Sequence, residues 1–291
     1  LSTRDYKSII GQLEDSFGLS PSTVSRNFIE RSSQELEEFE KRKLEQDFIA
    51  LFIDGKSLAR EQMIIALGVT MGGEKVPLGV IQASSENAQS VGGLLRNLVG
   101  RGLKFEQGLV VVIDGSKGIR KAVEEVFGTL AFVQRCQWHK RENVISYLPE
   151  GLQERFRKKL QAAYSLEDYR EAHQRLMEIH RELQPINRAA ATSLLEGLEE
   201  TLTLQRLGLH FDFHRSFGTT NCIENVNSQL AKYLRKVKHW SSSDQRYRWV
   251  ISGLLEVEHK LRKVSNFKML SAMRQAVQNE IHQRNKLSNA A

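Results

Sequence analysis

The chain has 291 residues, 40% of them hydrophobic and 26% charged, with Cys136 and Cys222 its only cysteines and 42 Lys and Arg set against 35 Asp and Glu. That length excludes a peptide hormone or a disulfide mini-domain and suffices for one large domain with an insertion, or for two smaller ones. Two cysteines rule out a disulfide framework and fit a reducing compartment, and no run approaches the eighteen apolar residues of a membrane-spanning helix.

No charged-then-apolar leader opens the chain. It starts at Leu1 rather than Met, so upstream sequence is expected to be missing. Residues 5–17 carry apolar positions at helical spacing up to Gly18. Ser20 then suits an N-cap and Pro21 a first helical position, and the second helix opens with hydroxyl residues and Arg26. Helix, glycine turn and helix predict either a plain helical hairpin or a helix-turn-helix, whose second helix can enter a major groove. Residues 33–46 are heavily charged and read as a solvated connecting helix.

The pattern changes at Phe48. FIALFIDG (48–55), 62–72 and 75–84 read as strands, with a hairpin signal at Gly72-Gly73-Glu74. Residues 87–103 read as a helix, GLVVVIDG (108–115) as a strand, 116–127 as a helix and 130–135 as a fifth strand. Two apolar runs without alternation suggest central strands covered on both faces. From His139 to about Phe213 the pattern is helical throughout, and from Thr219 onward it is helical and basic. The net charge of +7 lies entirely in that last part. Residues 219–291 hold 13 basic and 5 acidic side chains, while the 218 before them hold 29 and 30.

Asp54 and Asp114 each end an apolar run and precede a glycine. Asp-Gly alone makes a turn. Two such residues ending parallel neighbouring strands would meet where ligands of open α/β sheets bind, as hard oxygen donors for Mg²⁺ or Mn²⁺. Glu224, in TTNCIENVN (219–227), has a purely local explanation as the partner of an Asn221 cap in a capping box. It becomes a third metal ligand only if its helix packs beside the two Asp-bearing strands. Cys136 and His139 form a C-x-x-H pair after the fifth strand, which is half a zinc site unless His139 faces the carboxylates. His210-x-x-x-His214 offers the other half. His173, His180, His239, His259 and His282 read as surface residues. Lys232, Arg235, Lys236, Lys238, Arg246 and Arg248, interleaved with aromatics, suit a phosphate backbone, whereas Trp240 and Trp249 read as core.

The order and spacing of Asp54, Asp114, Cys136-x-x-His139 within QRCQWHKRENV, and Glu224 within TTNCIENVNS resembles the Mutator-type bacterial insertion-sequence transposases. RYRWVISGLLEVEHKLRKV (246–264) is similar to the basic C-terminal part of that family, and the likeness spans about residues 47–265. It implies an α/β, ribonuclease-H-like mixed five-stranded sheet with an all-helical insertion, preceded by a small helix-turn-helix and followed by a basic helical tail. The implied organisation is 1–46 for the helix-turn-helix and connecting helix, 47–139 for the first part of the core, 140–214 for the insertion and 215–291 for the third carboxylate and basic helices. It further implies a DDE transposase in which Asp54, Asp114 and Glu224 hold two Mg²⁺ or Mn²⁺ ions, with Cys136 and His139 accessory. The implied partners are double-stranded DNA, as terminal inverted repeats and target, and a second copy in a homodimer. The implied location is the bacterial cytoplasm, at the nucleoid. The three carboxylates are expected to converge within about one coordination shell, with oxygens roughly 2.0–2.1 Å from Mg²⁺. Family members usually carry more sequence before the helix-turn-helix, so part of terminal-repeat recognition is expected to lie outside this chain. A non-catalytic DNA-binding derivative, a nuclease of the same fold such as a junction resolvase, and a zinc protein are the alternatives.

Overall fold

The structure, a computed structural model, describes residues 21–289 except 60, 84, 236 and 238, and within them the side chains of 26–286. The helix expected over 5–17 therefore lies outside the described residues, as do Lys236 and Lys238. The elements follow the expected order: α1 (Pro21–Lys41), β1 (Phe48–Leu58), β2 (Glu61–Thr70), β3 (Lys75–Gln82), α2 (Ala88–Gly100), β4 (Leu109–Ile113), α3 (Lys117–Phe127) and β5 (Ala131–Arg135). The strands form one mixed sheet in the order β3-β2-β1-β4-β5. β1, β2 and β3 are an antiparallel meander, while β1, β4 and β5 run parallel.

β1 and β4 are apolar throughout because both their faces are covered. Alternate residues point to opposite sides of a strand. Phe52 and Val112 join a cluster with Phe213, Phe217, Ile223 and Val226 on one side, and Ile53 and Ile113 join Val91, Leu95, Ile119 and Val123 on the other. The result is a layer of helices on each face of the sheet, the α/β class. Pro77, which has no N–H to give a ladder, sits in edge strand β3.

Helices fill the chain after β5: α4 (Gln137–Ile145), α5 (Glu150–Tyr164), α6 (Tyr169–Leu183), α7 (Arg188–Leu195), α8 (Leu198–Thr201), α9 (Thr203–Arg206) and α10 (His210–Phe217). Phe156, Leu160, Leu176, Leu183 and Leu194 give this run its own apolar cluster. Fully buried Lys140 ties α4 to it by donating to the carbonyl oxygens of Ser193 and Glu196, and burial pushes the ammonium down to about 8. α11 (Asn221–Leu234), α12 (Ser243–Glu258) and α13 (Leu270–Asn289) return to the sheet.

Three expectations need correction. Helix α1 is continuous from Pro21 to Lys41, and the chain from Arg42 to Glu45 is not helical. Nor is α1 a solvated connector: Phe28, Ser32 and Phe39 are buried, and Phe28 packs on Trp249 at 4.6 Å between ring centroids. Its charged residues occupy only the outer face. The third correction is His180, read as surface but buried, because the inner face of α6 turns into the helical cluster. Trp249 is buried as expected, with Trp240 packed edge-on against it at 6.4 Å. Among the described residues no helix is long and apolar enough to cross a membrane.

Candidate active site

Strand register brings the two aspartates together. Ile53 pairs with Ile113 across the parallel β1–β4 ladder, so the residues that follow them, Asp54 and Asp114, sit side by side. By the two-residue alternation both point to the face that carries α11. Asp54 is not at a strand end, as its Asp-Gly step had suggested. β1 continues to Leu58 because β2 supplies backbone partners, Asp54 opposite Ile65. Only the parallel neighbour stops, at Ile113. Asp114 does make a turn as well: its Oδ1 accepts the Ser116 N–H at 2.9 Å, and Gly115 takes φ of +114°.

α11 packs against β1, which is the condition under which Glu224 joins the site. The capping box does not form. Thr220, not Asn221, occupies the N-cap, and its N–H points at Cys136 Sγ at 3.4 Å. The Thr220 hydroxyl instead donates to Glu224 Oε1 at 2.5 Å and lies 3.3 Å from His139 Nδ1 and 3.5 Å from Cys136 Sγ. His139 Nε2 is 3.9 Å from Glu224 Oε1. Cys136 and His139 therefore face the carboxylates through Thr220. His210 and His214 stack on each other at 4.8 Å on α10, and no three His, Cys, Asp or Glu side chains among the described residues stand close enough to hold one ion. The pairing of C-x-x-H with H-x-x-x-H into a zinc site is thus not formed. Asp54, Asp114 and Glu224 likewise do not form such a group among the described residues. The carboxylates are electrostatic neighbours, but like charges repel, and Glu224 is drawn to Thr220 and His139.

The electrostatics follow from burial and crowding. Asp54 is 8% exposed, and burial, then Asp114, then Glu86 push its carboxyl up to about 7. The hydrogen bond with Cys136 raises His139 against the opposing effect of burial, and the charges of Cys136, Glu224 and Asp114 add to it. Burial pushes the Cys136 thiol up, but its hydrogen bonds with His139 and Thr220 outweigh that and leave it below its ordinary value. A buried acid raised this far beside two more carboxylates marks the edge as a candidate functional site.

Three participants escaped sequence reasoning. Thr220 links three polar side chains, Cys136, His139 and Glu224. Asn227, 3% exposed, donates from Nδ2 to Asp54 Oδ2 at 2.8 Å, while its Oδ1 has no hydrogen-bond partner. Its position three residues after Glu224, on the same helix face, was the available signal. Glu86, between β3 and α2, had none.

The basic residues are less uniform than their count suggests. Lys232 and Arg235 are exposed near the end of α11, and Arg26 is exposed on α1. Arg246 is paired with Glu61 at 2.7 Å, Lys263 with Glu74 at 2.6 Å and Arg274 with Asp47 at 2.5 Å. Arg248 is half-buried. Three of the tail's cations therefore face acidic residues of the sheet region.

Comparison with known proteins places this arrangement. A family model described as transposase, Mutator family, matches residues 1–263. The transposase for insertion sequence element IS905 of Lactococcus lactis subsp. lactis is 28% identical over 259 residues, which are 87% of this chain and 64% of that protein. The transposase for insertion sequence element IS256 in transposon Tn4001 of Staphylococcus aureus is 24% identical over 287 residues, covering 92% of this chain and 70% of that protein. The transposase for insertion sequence element ISRM5 of Rhizobium meliloti is 25% identical over 283 residues, with 94% and 69% covered. The chain thus spans roughly two thirds of the length of these relatives, a little less for the first of them. With the family model matching nine tenths of its residues, the chain belongs to the Mutator family of transposases.

Proposed function

We propose that this chain carries the catalytic core of a DDE transposase of ribonuclease-H-like type, which cuts DNA at the ends of an insertion sequence and joins those ends to target DNA. The observation that carries the reading is the meeting of Asp54 and Asp114, side by side in adjacent parallel strands, with a helix packed on β1 that carries Glu224 and hydrogen bonds Asp54 through Asn227. The donors fit Mg²⁺ or Mn²⁺: they are hard carboxylate oxygens, and burial, then the neighbouring Asp114 and Glu86, push Asp54 up to about 7. When bound, two such ions supply an activated water or 3′-hydroxyl and stabilise the leaving oxygen of an in-line displacement.

The chain's own residues prepare the site for this. Asn227 fixes the rotamer of Asp54 through the 2.8 Å hydrogen bond. Thr220 and His139 hold Glu224 from behind, and Cys136 orients both. His139, 3.3 Å from the Thr220 hydroxyl and 3.9 Å from Glu224, is a positioning group beside the carboxylates. Lys232 and Arg235 extend from the helix that bears Glu224 and would meet a phosphate backbone lying across the site. The DNA, the homodimer, the helix-turn-helix with Arg26 and the roles of Lys236, Lys238 and Arg248 belong to the same proposal, whereas Arg246, already paired with Glu61, drops out of the DNA contacts expected from the sequence.

Strand cleavage on a terminal-repeat duplex, run with Mg²⁺ and with Asp114→Asn beside the parent, tests it. The variant should lose cleavage by more than the roughly hundredfold that follows loss of an outer-shell partner. Cleavage at the parental rate would remove Asp114 from the site. Strand-transfer products from a precleaved end separate a transposase from a nuclease of the same fold, which yields none.

A further inference from the structure

Trp138, the second residue of α4, is the exposed one of the chain's three tryptophans. Trp249 is buried and Trp240 half-buried against it, whereas Trp138 is 47% exposed and belongs to none of the apolar clusters. Its ring contact among the described residues is with His139, edge to face at 4.8 Å between centroids. His139 in turn stands 3.9 Å from Glu224. Exposed apolar side chains are common on protein surfaces, and what singles this one out is its place, one side chain away from the candidate carboxylates. Its backbone is held as well. The Cys136 N–H donates to the Ile113 carbonyl oxygen at 2.7 Å and the Gln137 N–H to that of Gly218 at 3.1 Å, and both residues are buried. An open aromatic face on a fixed backbone loses little freedom when something stacks on it.

A second observation lies on the other side of the carboxylates. β1 runs on past Asp54 after its parallel neighbour β4 has stopped. Lys56, two residues on, shares the face of Asp54. It is exposed and makes no ion pair or hydrogen bond among the described residues. Lys117, after Asp114, is by contrast paired with Glu196 at 3.0 Å. The sheet order β1, β4, β5 sets Lys56 and Trp138 on opposite sides of the two aspartates, since α4 follows directly on β5. A nucleotide offers what these two residues lack, a phosphate for the ammonium and a flat ring for the indole. Inside a duplex both faces of a base are covered by its neighbours, so a base reaches a protein ring only when it leaves the stack.

We propose that the site takes its DNA locally single-stranded, with an unstacked base laid on Trp138 and a phosphate of the same strand on Lys56. The inference rests on the reading of Asp54, Asp114 and Glu224 as the reacting centre, and it adds the form of the substrate at that centre. The two contacts straddle the carboxylates, so the strand between them is drawn across Asp54 and Asp114.

Binding of oligothymidylate and of a blunt duplex to the whole chain, with Mg²⁺ present, tests this apart from activity. Trp240 and Trp249 pack on each other, so a change in tryptophan emission on binding reports on Trp138. Oligothymidylate should quench the emission and the blunt duplex should not. Trp138→Ala should weaken oligothymidylate binding, followed by anisotropy of the labelled strand, by about tenfold, with duplex binding nearly unchanged. Trp138→Phe should keep most of the affinity, and Trp138→Leu, apolar but without a ring, should lose as much as Trp138→Ala. Lys56→Gln should lower the slope of log affinity for the single strand against log salt by about 0.7. Emission unchanged at saturating oligothymidylate, or Trp138→Leu binding it as well as Trp138→Phe, overturns the role of Trp138. A parental salt slope in Lys56→Gln overturns the contact at Lys56. Trp138→Ala that turns a dimer into a monomer at parental single-strand affinity makes the indole a contact between copies and likewise overturns its role. All of these outcomes leave loss of cleavage by Asp114→Asn, and with it the proposed function, standing. Parental cleavage by Asp114→Asn overturns that function while quenching at Trp138 persists.

Discussion

The edge of the sheet at Asp54 and the basic C-terminal helices treat charge in opposite ways. At the edge, four carboxylates are crowded beside His139, and burial together with this crowding pushes Asp54 up to about 7. In the C-terminal helices three of the basic residues are answered by acids of the sheet region: Glu61 for Arg246, Glu74 for Lys263 and Asp47 for Arg274. Net charge along a sequence therefore locates neither the strongest field nor the site. Like charges gathered without compensation are costly, so their persistence is the more informative feature.

The largest effect that tests this contrast is a pH dependence of stability without metal. The folded-state value for Asp54 lies above its ordinary value of 3.8, so the folded chain binds more protons than the unfolded one between about 4 and 7. Stability from this group is fully present below about 4, falls as pH rises and is lost above about 7, by an amount on the order of a few kcal/mol. Thermal melts in EDTA from pH 5 to pH 8 should show the decline, and Asp54→Asn should flatten it. An equal slope in that variant would mean that the crowding at the edge carries no energy.

Next comes Asn227→Ala, which releases Asp54 without altering charge. Activity and Mn²⁺ affinity should fall roughly 10–100-fold, as for other residues that orient a ligand. An unchanged Mn²⁺ isotherm would make Asn227 a packing residue. The smallest effects belong to the basic helices. Neutralising Lys232 and Arg235 together should lower the slope of log affinity for DNA against log salt by roughly one per lost phosphate contact. Arg246→Ala should leave that slope nearly unchanged and cost about 0–1 kcal/mol of stability, since its partner is already Glu61. A larger loss of slope for Arg246 than for Lys232 would erase the distinction between paired and exposed cations.

Particular residues show why part of this was legible in the sequence. The unbroken apolar runs around Ile53 and Ile113 betrayed two strands covered on both faces, and the glycine pair at Gly72 and Gly73 betrayed the hairpin. The aspartates were legible because an apolar run closed by Asp-Gly is a local pattern, even though β1 runs on past Asp54. Thr220 was hidden because Asn221 looks like the better cap, and the pull of Cys136 and Glu224 on Thr220 crosses 84 positions in one direction and four in the other. Glu86 was hidden because nothing around it in sequence differs from an ordinary loop.

By itself the sequence determined the elements, their order, the apolar strands, the helical run after β5 and the likeness to a family. These depend on hydrophobic periodicity, turn residues and spacing, all of which act over a few neighbours. Tertiary structure alone decided that β1 runs on past Asp54, that α1 packs on α12, that Asn227 holds Asp54, that Glu86 lies against Gly55 and Gly118, and that Arg246 is already paired. The physical reason is range. Burial and Coulomb interaction act through space, so the residues that crowd one carboxylate or neutralise one cation come from segments whose separation along the chain says nothing about their contact.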